Sequence, residues 1–98
     1  MKGNKIMIVE DESIIAEDIR MSLINNGYVV SSVVSMGEKA IEMVKEDKPD
    51  LILMDIMLAG KMDGIQTAGM IQTIFNIPVK FQTELIGVKA SWMYSHCP

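Results

Sequence analysis

Short apolar runs alternate with segments of helical spacing along most of the chain. Lys5 to Val9 (KIMIV) and Leu51 to Met54 (LILM) are apolar runs, and Tyr28 to Val34 (YVVSSVV) is rich in β-branched residues. Such runs are typical of strands that are covered on both faces, as in a parallel sheet. A fourth strand is expected near Val79, after the Asn-Ile-Pro break at residues 76–78.

The segments between these runs predict three helices. In the first, Ile15, Ile19 and Leu23 form one apolar stripe, and Gly27 suits the left-handed position that ends a helix. The spacing of Ser35 to Glu38 predicts a capping box at the start of the second helix. Asp63 and Gln66 predict the start of the third. Core positions are expected in the second and third helices at Ala40, Ile41, Val44, Ile65, Ala68, Ile71 and Phe75.

The alternation of strands and helices predicts an α/β fold, an open parallel sheet with helices on both of its faces. The fourth strand differs from the others because its polar and apolar residues alternate. This alternation predicts one wet face, so the strand lies at an edge or lacks its covering helix. The polar positions are Lys80, Gln82 and Glu84, and the apolar face carries Val79, Phe81, Thr83 and Leu85.

Composition and charge argue against several classes of partner and location. The 98 residues suffice for one small domain, and a net charge of −4 without a basic run argues against nucleic acid or an anionic membrane as a partner. No apolar stretch approaches the roughly 20 residues of a membrane span, and the N-terminus turns acidic too soon for a secretory signal. The single cysteine, Cys97, cannot form an internal disulfide, which fits a reducing cytoplasm.

Acidic residues follow two of the predicted strands. Glu10 and Asp11 come directly after the first strand, and Asp55 ends the third. If these strands are neighbours, the three carboxylates share the crevice at the carboxyl edge of the sheet, where their charges repel one another. A hard divalent cation such as Mg²⁺ would relieve that repulsion. The spacing leaves it equally open that Asp11 and Asp55 merely cap helices or face solvent, as Glu12 is expected to do.

Three segments together resemble the receiver domain of two-component response regulators. They are KIMIVEDE, PDLILMDIML and MDGIQTA, in the order that this family has them. The resemblance covers about residues 4–83 and implies a flavodoxin-like (CheY-like) fold.

The resemblance also implies roles for individual residues. Asp55 would accept a phosphoryl group from a histidine kinase. Mg²⁺ would be bound by Asp11, Asp55 and the backbone carbonyl of Met57, with Glu10 acting through a water molecule. Thr83 would be the switch residue whose hydroxyl bonds the phosphoryl group. A downstream effector protein would then read the change, since the chain has no segment typical of DNA binding.

The chain departs from the family pattern after residue 83. No residue matches the family's lysine at the end of strand five, because Lys89 lies only six positions after Thr83. Glu84 stands where the family has a small residue, and its charge would repel a phosphoryl group. We therefore expect a partial receiver domain over residues 1–83 without the fourth helix, fifth strand and fifth helix, and a divergent tail over residues 84–98. Natural divergence, a shifted reading frame and an engineered change are all open as its origin. The tail holds Trp92, Tyr94, His96 and Cys97.

These departures keep other functions open. A phosphorylation-independent interaction module fits the missing lysine and Glu84, whereas the pair of Asp11 and Asp55 argues against it. A Mg²⁺-dependent phosphohydrolase would need an acid two residues after its nucleophile, where this chain has Met57, so an enzyme is not expected. The unpaired edge of strand four, or the tail, predicts association with a second copy of the chain.

Overall fold

The computed structural model describes residues 4–58 and 60–82, which form a four-stranded parallel sheet and three helices. The predicted α/β fold with an open parallel sheet is confirmed. The elements in chain order are β1 (Lys5–Val9), α1 (Ser13–Asn25), β2 (Val29–Val34), α2 (Gly37–Glu46), β3 (Leu51–Asp55), α3 (Gly64–Phe75) and β4 (Val79–Gln82).

The strands lie in the order β2-β1-β3-β4, so β1 and β3 are central neighbours. Val9 pairs with Met54 across the central ladder, and Asp55 pairs with Gln82 on the other side of β3. The first and third strands are thus neighbours, which is the condition for the three acids to share one crevice. Among the described strands β4 is an edge, one of the two alternatives that its alternating pattern left open.

Helices cover both faces of the sheet, because alternate residues of each strand point to opposite sides. On one face, Ile8 and Leu53 pack with the stripe predicted for α1, which is buried. On the other face, Met7 and Met54 pack with residues of α2 and α3. Of the predicted core positions, Ala40, Val44, Ala68 and Ile71 are buried, and Ile41 and Phe75 are partly buried. In the described part of the chain, no helix is long and apolar enough to cross a membrane.

The C-terminal end of α1 and the N-terminal start of α3 follow their local sequence signals. Gly27 has a φ of +89° and its N–H donates to the carbonyl of Ile24. The N–H of Tyr28 donates to the carbonyl of Leu23, which completes the hydrogen-bond pattern of a Schellman motif. Before α3, the Asp63 carboxylate accepts from the Gln66 N–H at 2.8 Å, and Gln66 Oε1 accepts from the Asp63 N–H at 3.1 Å. The predicted cap of α3 is confirmed as a full capping box.

The predicted capping box at Ser35 is wrong. Helix α2 begins at Gly37, after Met36, and Met36 makes no side-chain capping bond. A Cβ atom on Gly37 would lie 2.0 Å from Thr67 Oγ1 of α3. The absence of a Cβ atom at Gly37 thus permits the close contact between α2 and α3, and α2 begins one residue later than the spacing at Ser35 predicts.

Two expectations about exposure are also wrong. Ile65 lies on the outer side of α3 and is 61% exposed, because Ala68 and Ile71 occupy the side that faces the sheet. In β4, Phe81 of the expected apolar face is 39% exposed, whereas Gln82 of the expected wet face is only 2% exposed. Lys80, the other described residue of the expected wet face, is exposed as predicted. In the ladder between β3 and β4, Gln82 pairs with Asp55.

Candidate functional site

Three carboxylates meet at the carboxyl edge of the two central strands. One oxygen atom from each of Glu10, Asp11 and Asp55 lies within 4.8 Å of the others. Glu10 and Asp55 are 2% and 3% exposed, whereas Asp11 is open to solvent. The sequence-based expectation that these three acids share one crevice is confirmed.

The central ladder positions the two buried acids. Because Val9 pairs with Met54, the next residues, Glu10 and Asp55, lie side by side at the end of that ladder. The Glu10 N–H donates to the carbonyl of Val34 at 2.9 Å, which ties the end of β1 to β2 as well. The acid cluster is thus held by the most deeply buried part of the sheet.

Backbone N–H groups orient both buried carboxylates. The N–H of Met57 donates to Asp55 Oδ1 at 3.2 Å, and the N–H of Glu12 donates to Glu10 Oε2 at 3.3 Å. The side chain of Met57 is 62% exposed, so this residue contributes to the site through its backbone. Glu12 is exposed, as expected from the sequence.

The start of α3 lies directly against the end of β3. The Gly64 N–H donates to the carbonyl of Ile56 at 2.9 Å, and a Cβ atom on Gly64 would lie 2.1 Å from the carbonyl oxygen of Asp55. Only glycine permits this close approach of two backbones. Together with the Asp63 cap, it fixes both ends of the loop that follows Asp55.

The charge of the cluster suits a hard divalent cation. In the described part of the chain, no lysine or arginine forms an ion pair with Asp11 or Asp55, and the clearest ion pairs lie elsewhere, between Lys5 and Asp47 and between Arg20 and Glu17. Mutual repulsion of like charges at this spacing is strong where water is excluded. Carboxylate oxygens from three residues are the type of donor that Mg²⁺ prefers, and a partly exposed site lets it keep water ligands. The residues therefore fit Mg²⁺.

A fourth polar side chain completes this edge of the sheet, and the sequence analysis missed it. Gln82 pairs with Asp55 and is 2% exposed, yet its Oε1 and Nε2 have no hydrogen-bond partner among the described residues. Glu10, Asp55 and Gln82 therefore form a row of buried polar residues across β1, β3 and β4. The sequence does not reveal that Gln82 is buried, because polar residues that alternate with apolar ones in a strand usually face solvent.

Comparison with known proteins places the chain in a family. A model described as the response regulator receiver domain matches residues 6–89, most of the chain. The chain belongs to this family. Receiver domains are parts of two-component signalling systems, and the flavodoxin-like fold described above is theirs.

Solved receiver domains agree with this assignment. The signal receiver domain of a modulated diguanylate cyclase from Desulfovibrio desulfuricans G20 is 32% identical, with a TM-score of 0.82, and the match covers 95% of this chain and 77% of that one. The N-terminal domain of a response regulator/sensory box/GGDEF protein from Carboxydothermus hydrogenoformans is 43% identical, with a TM-score of 0.75 and coverages of 89% and 74%.

A third relative shows that a receiver domain can be one part of a longer protein. The response regulator PhyR from Brucella abortus is 32% identical, with a TM-score of 0.79, and the match covers 86% of this chain. It covers only 35% of the PhyR chain. This chain therefore spans about a third of that relative's length.

Several predicted features of this receiver domain lie outside the described residues. Thr83, the predicted switch residue, follows Gln82 directly and is one of them. Glu84, Lys89 and the predicted tail over residues 84–98 are others. The direction of the Met57 carbonyl toward a metal, the role of Thr83 and the domain boundary at residue 83 stay predictions.

Proposed function

We propose that this receiver domain accepts a phosphoryl group on Asp55 and thereby carries a signal between two proteins. The observation that supports this most directly is the position of Asp55, which ends a central strand and is buried with Glu10 and Asp11 close by. A buried carboxylate with a fixed neighbourhood is a suitable nucleophile, because its orientation is set before the donor arrives.

The transfer forms one bond and breaks another. An oxygen of Asp55 attacks phosphorus, and the P–N bond of a phosphohistidine in the donor kinase breaks as the O–P bond of an acyl phosphate forms. The Met57 N–H holds Oδ1 of Asp55, so we assign the attack to Oδ2. Mg²⁺ bound at the cluster would supply positive charge to offset the negative charge that develops on the phosphoryl oxygens.

The proposed metal ligands are the acids of this edge. Asp11 and Asp55 would bind Mg²⁺ directly, Glu10 would act through water, and the backbone carbonyl of Met57 would complete the set. Asp11 is the exposed member, which leaves room for water ligands and for the incoming phosphoryl group.

The proposed partners are a histidine kinase that donates the phosphoryl group and a downstream protein that reads it. Two relatives are described as anti-anti-sigma factor PhyR from Bartonella quintana and as a PhyR response regulator, which supports a protein as the output partner. Thr83 is the proposed switch residue, within a receiver part that we place at residues 1–83. We place the protein in the cytoplasm, where such kinases present their phosphohistidine, and propose no enzymatic turnover, nucleic acid or membrane partner.

A second copy of the chain is a further proposed partner. Strand β4 is one edge of the described sheet and carries Phe81, which is 39% exposed. No described strand pairs with its outer side, and N–H and C=O groups left open at such an edge favour pairing with another strand. Light scattering that gave the mass of a monomer at high protein concentration would contradict this proposal.

The proposed function is tested by intact mass after incubation with acetyl phosphate and Mg²⁺. We expect one added phosphoryl group on the wild-type chain, none on Asp55→Asn, and a strongly reduced rate for Asp11→Asn because Mg²⁺ binding is weakened. Asp18→Asn is the matched control, since Asp18 is an exposed acid on α1. It should be phosphorylated like the wild type.

Failure of the wild-type chain to gain mass would contradict the proposal. If that chain still bound Mg²⁺, the receiver fold would act as a phosphorylation-independent interaction module. Phosphorylation that persisted in Asp55→Asn would mean that another residue accepts the group.

A further inference from the structure

We propose that Gln82 binds the phosphoryl group on Asp55, with its side-chain Nε2 as the hydrogen-bond donor. This inference rests on the proposed function of Asp55 and adds a residue to its site. It starts from the row of buried polar residues at the carboxyl edge, in which Asp55 has Glu10 on one side and Gln82 on the other.

The register places the Gln82 side chain beside the Asp55 carboxylate. Asp55 and Gln82 are paired residues of neighbouring parallel strands, which lie about 4.8 Å apart and project paired side chains to the same face. The residues two positions earlier, Leu53 and Lys80, are also paired. Leu53 belongs to the cluster that packs against α1, so Asp55 and Gln82 project toward that face of the sheet as well.

The side-chain amide of Gln82 is buried without hydrogen bonds among the described residues. Both Oε1 and Nε2 are buried and without a hydrogen-bond partner in the described ranges. A buried amide that makes no hydrogen bond destabilises a fold, because its polar atoms lose their hydration without compensation. A phosphoryl oxygen on Asp55 would accept from Nε2 and give this group a partner.

The two sides of Asp55 differ in the charge of their neighbouring side chains. The β1 side carries the two further acids, and this is where a cation would bind. Among the described residues of the β4 side, Gln82 offers a neutral amide at this level, which can donate a hydrogen bond without adding negative charge. Gln82 would thus hold phosphoryl oxygens that point away from the metal.

The test compares Gln82→Met with Gln72→Met. Methionine has nearly the shape of glutamine and lacks its donor, and removing an unpaired buried amide should leave the fold as stable or more so. Gln72 is an exposed glutamine on α3, so its replacement controls for the change of side chain alone. Urea unfolding of both variants would verify that they remain folded.

The probe is trifluoroberyllate, an anion that bonds to a carboxylate oxygen and has the shape of a phosphoryl group. Calorimetric titration in the presence of Mg²⁺ should give a dissociation constant about tenfold to a hundredfold higher for Gln82→Met, the range expected for a hydrogen bond to a charged group. The affinity for Mg²⁺ alone should change less than twofold, because Gln82 is not one of the proposed metal ligands. Gln72→Met should bind both like the wild type.

A second measurement separates a binding role from a structural one. In ¹⁵N-labelled protein, the side-chain NH₂ signal that is missing from Gln82→Met identifies Gln82. That signal should shift when trifluoroberyllate is added with Mg²⁺ and should stay in place with Mg²⁺ alone. A merely structural glutamine would not respond to the anion in this way.

The outcomes distinguish this inference from the function on which it rests. Trifluoroberyllate binding to Gln82→Met within twofold of the wild type, or an NH₂ signal that does not move, overturns the role of Gln82 and leaves Asp55 as the acceptor. A wild-type chain that gains no phosphoryl group from acetyl phosphate and binds no trifluoroberyllate overturns both.

Discussion

The central strands and the edge strands of this sheet differ in how they meet solvent. Four of the five residues in β1, and four of the five in β3, are buried. In β2 and β4 only the last residue is buried, and Val29, Val33 and Phe81 are 48%, 42% and 39% exposed. The acids of the site follow the central pair, so the buried part of the sheet positions them, whereas of the edge strands only the buried last residue of β4, Gln82, lies beside an acid of the site.

The largest expected effect comes from removing side-chain volume in the centre. Leu53→Ala should lower the free energy of unfolding by about 2–5 kcal/mol, because Leu53 is fully buried and its loss leaves a cavity. Val33→Ala on the edge strand β2 should cost less than about 1 kcal/mol, since Val33 already contacts water. Urea unfolding of both variants measures the difference. Equal losses would show that centre and edge do not differ in packing.

A smaller effect is expected from adding volume where β3 ends. Gly64→Ala should be destabilising by about 2 kcal/mol, because the new methyl group would collide with the carbonyl oxygen of Asp55. Gly69→Ala is the matched control in the same helix, where the space around the glycine is open. It should be stabilising by up to about 1 kcal/mol, since alanine favours a helix over glycine.

Changes of opposite sign in the free energy of unfolding of these two variants would show that the constraint is specific to the end of β3. The Gly64 change should also slow phosphorylation, because the loop after Asp55 has to shift. If Gly64→Ala were as stable as Gly69→Ala, the backbone at the end of β3 would be less constrained than its contacts indicate.

The smallest effect concerns a charged pair far from the centre. On the exposed side of α1, a side-chain hydrogen bond from Arg20, at 2.6 Å between Nη2 and Oε2, and the charge of Arg20 lower the pKa of Glu17 from its ordinary value. Arg20→Gln should therefore raise the pKa of Glu17, which NMR titration of its carboxyl carbon would report.

The pH dependence follows from the direction of this shift. A carboxylate whose pKa is lower in the folded state stabilises the protein above its unfolded pKa, which is about 4.3 for glutamate. The small advantage of the wild type over Arg20→Gln should thus be present at neutral pH and vanish as the pH falls through the titration of Glu17. A difference that persisted at acidic pH would mean that Arg20 acts through packing.

The central strands were predictable from sequence because their burial on both faces leaves a continuous apolar run. The cluster of Glu10, Asp11 and Asp55 was predictable for the same reason, since the ends of such strands mark the carboxyl edge of the sheet. Local signals also predict the C-terminal end of α1 and the N-terminal start of α3, because a glycine with positive φ and a capping box are enough to define these two positions.

The edges were harder to predict because their environment depends on neighbours that the local sequence does not specify. Gln82 alternates with apolar residues like any solvent-facing side chain, and only the structure reveals that it is buried beside Asp55. At the start of α2, Gly37 lies against Thr67 of α3, a contact that the spacing of Ser35 and Glu38 does not reveal. Both errors lie where one element of the fold meets another.

The central ladder joins parts of the chain that are far apart in sequence. The Lys5 N–H donates to Asp50 Oδ2 at 2.8 Å across a separation of 45 residues. Closing a loop of that length has an entropic cost, and such non-local pairing is slow compared with helix formation. During synthesis from the N-terminus, Glu10 and Asp11 are made well before Asp55, so the three acids cannot come together until Asp55 has been added. The cluster proposed to accept the phosphoryl group therefore arises in the same step as the β1–β3 pairing, and a nascent chain with only its local helices formed does not yet have that cluster.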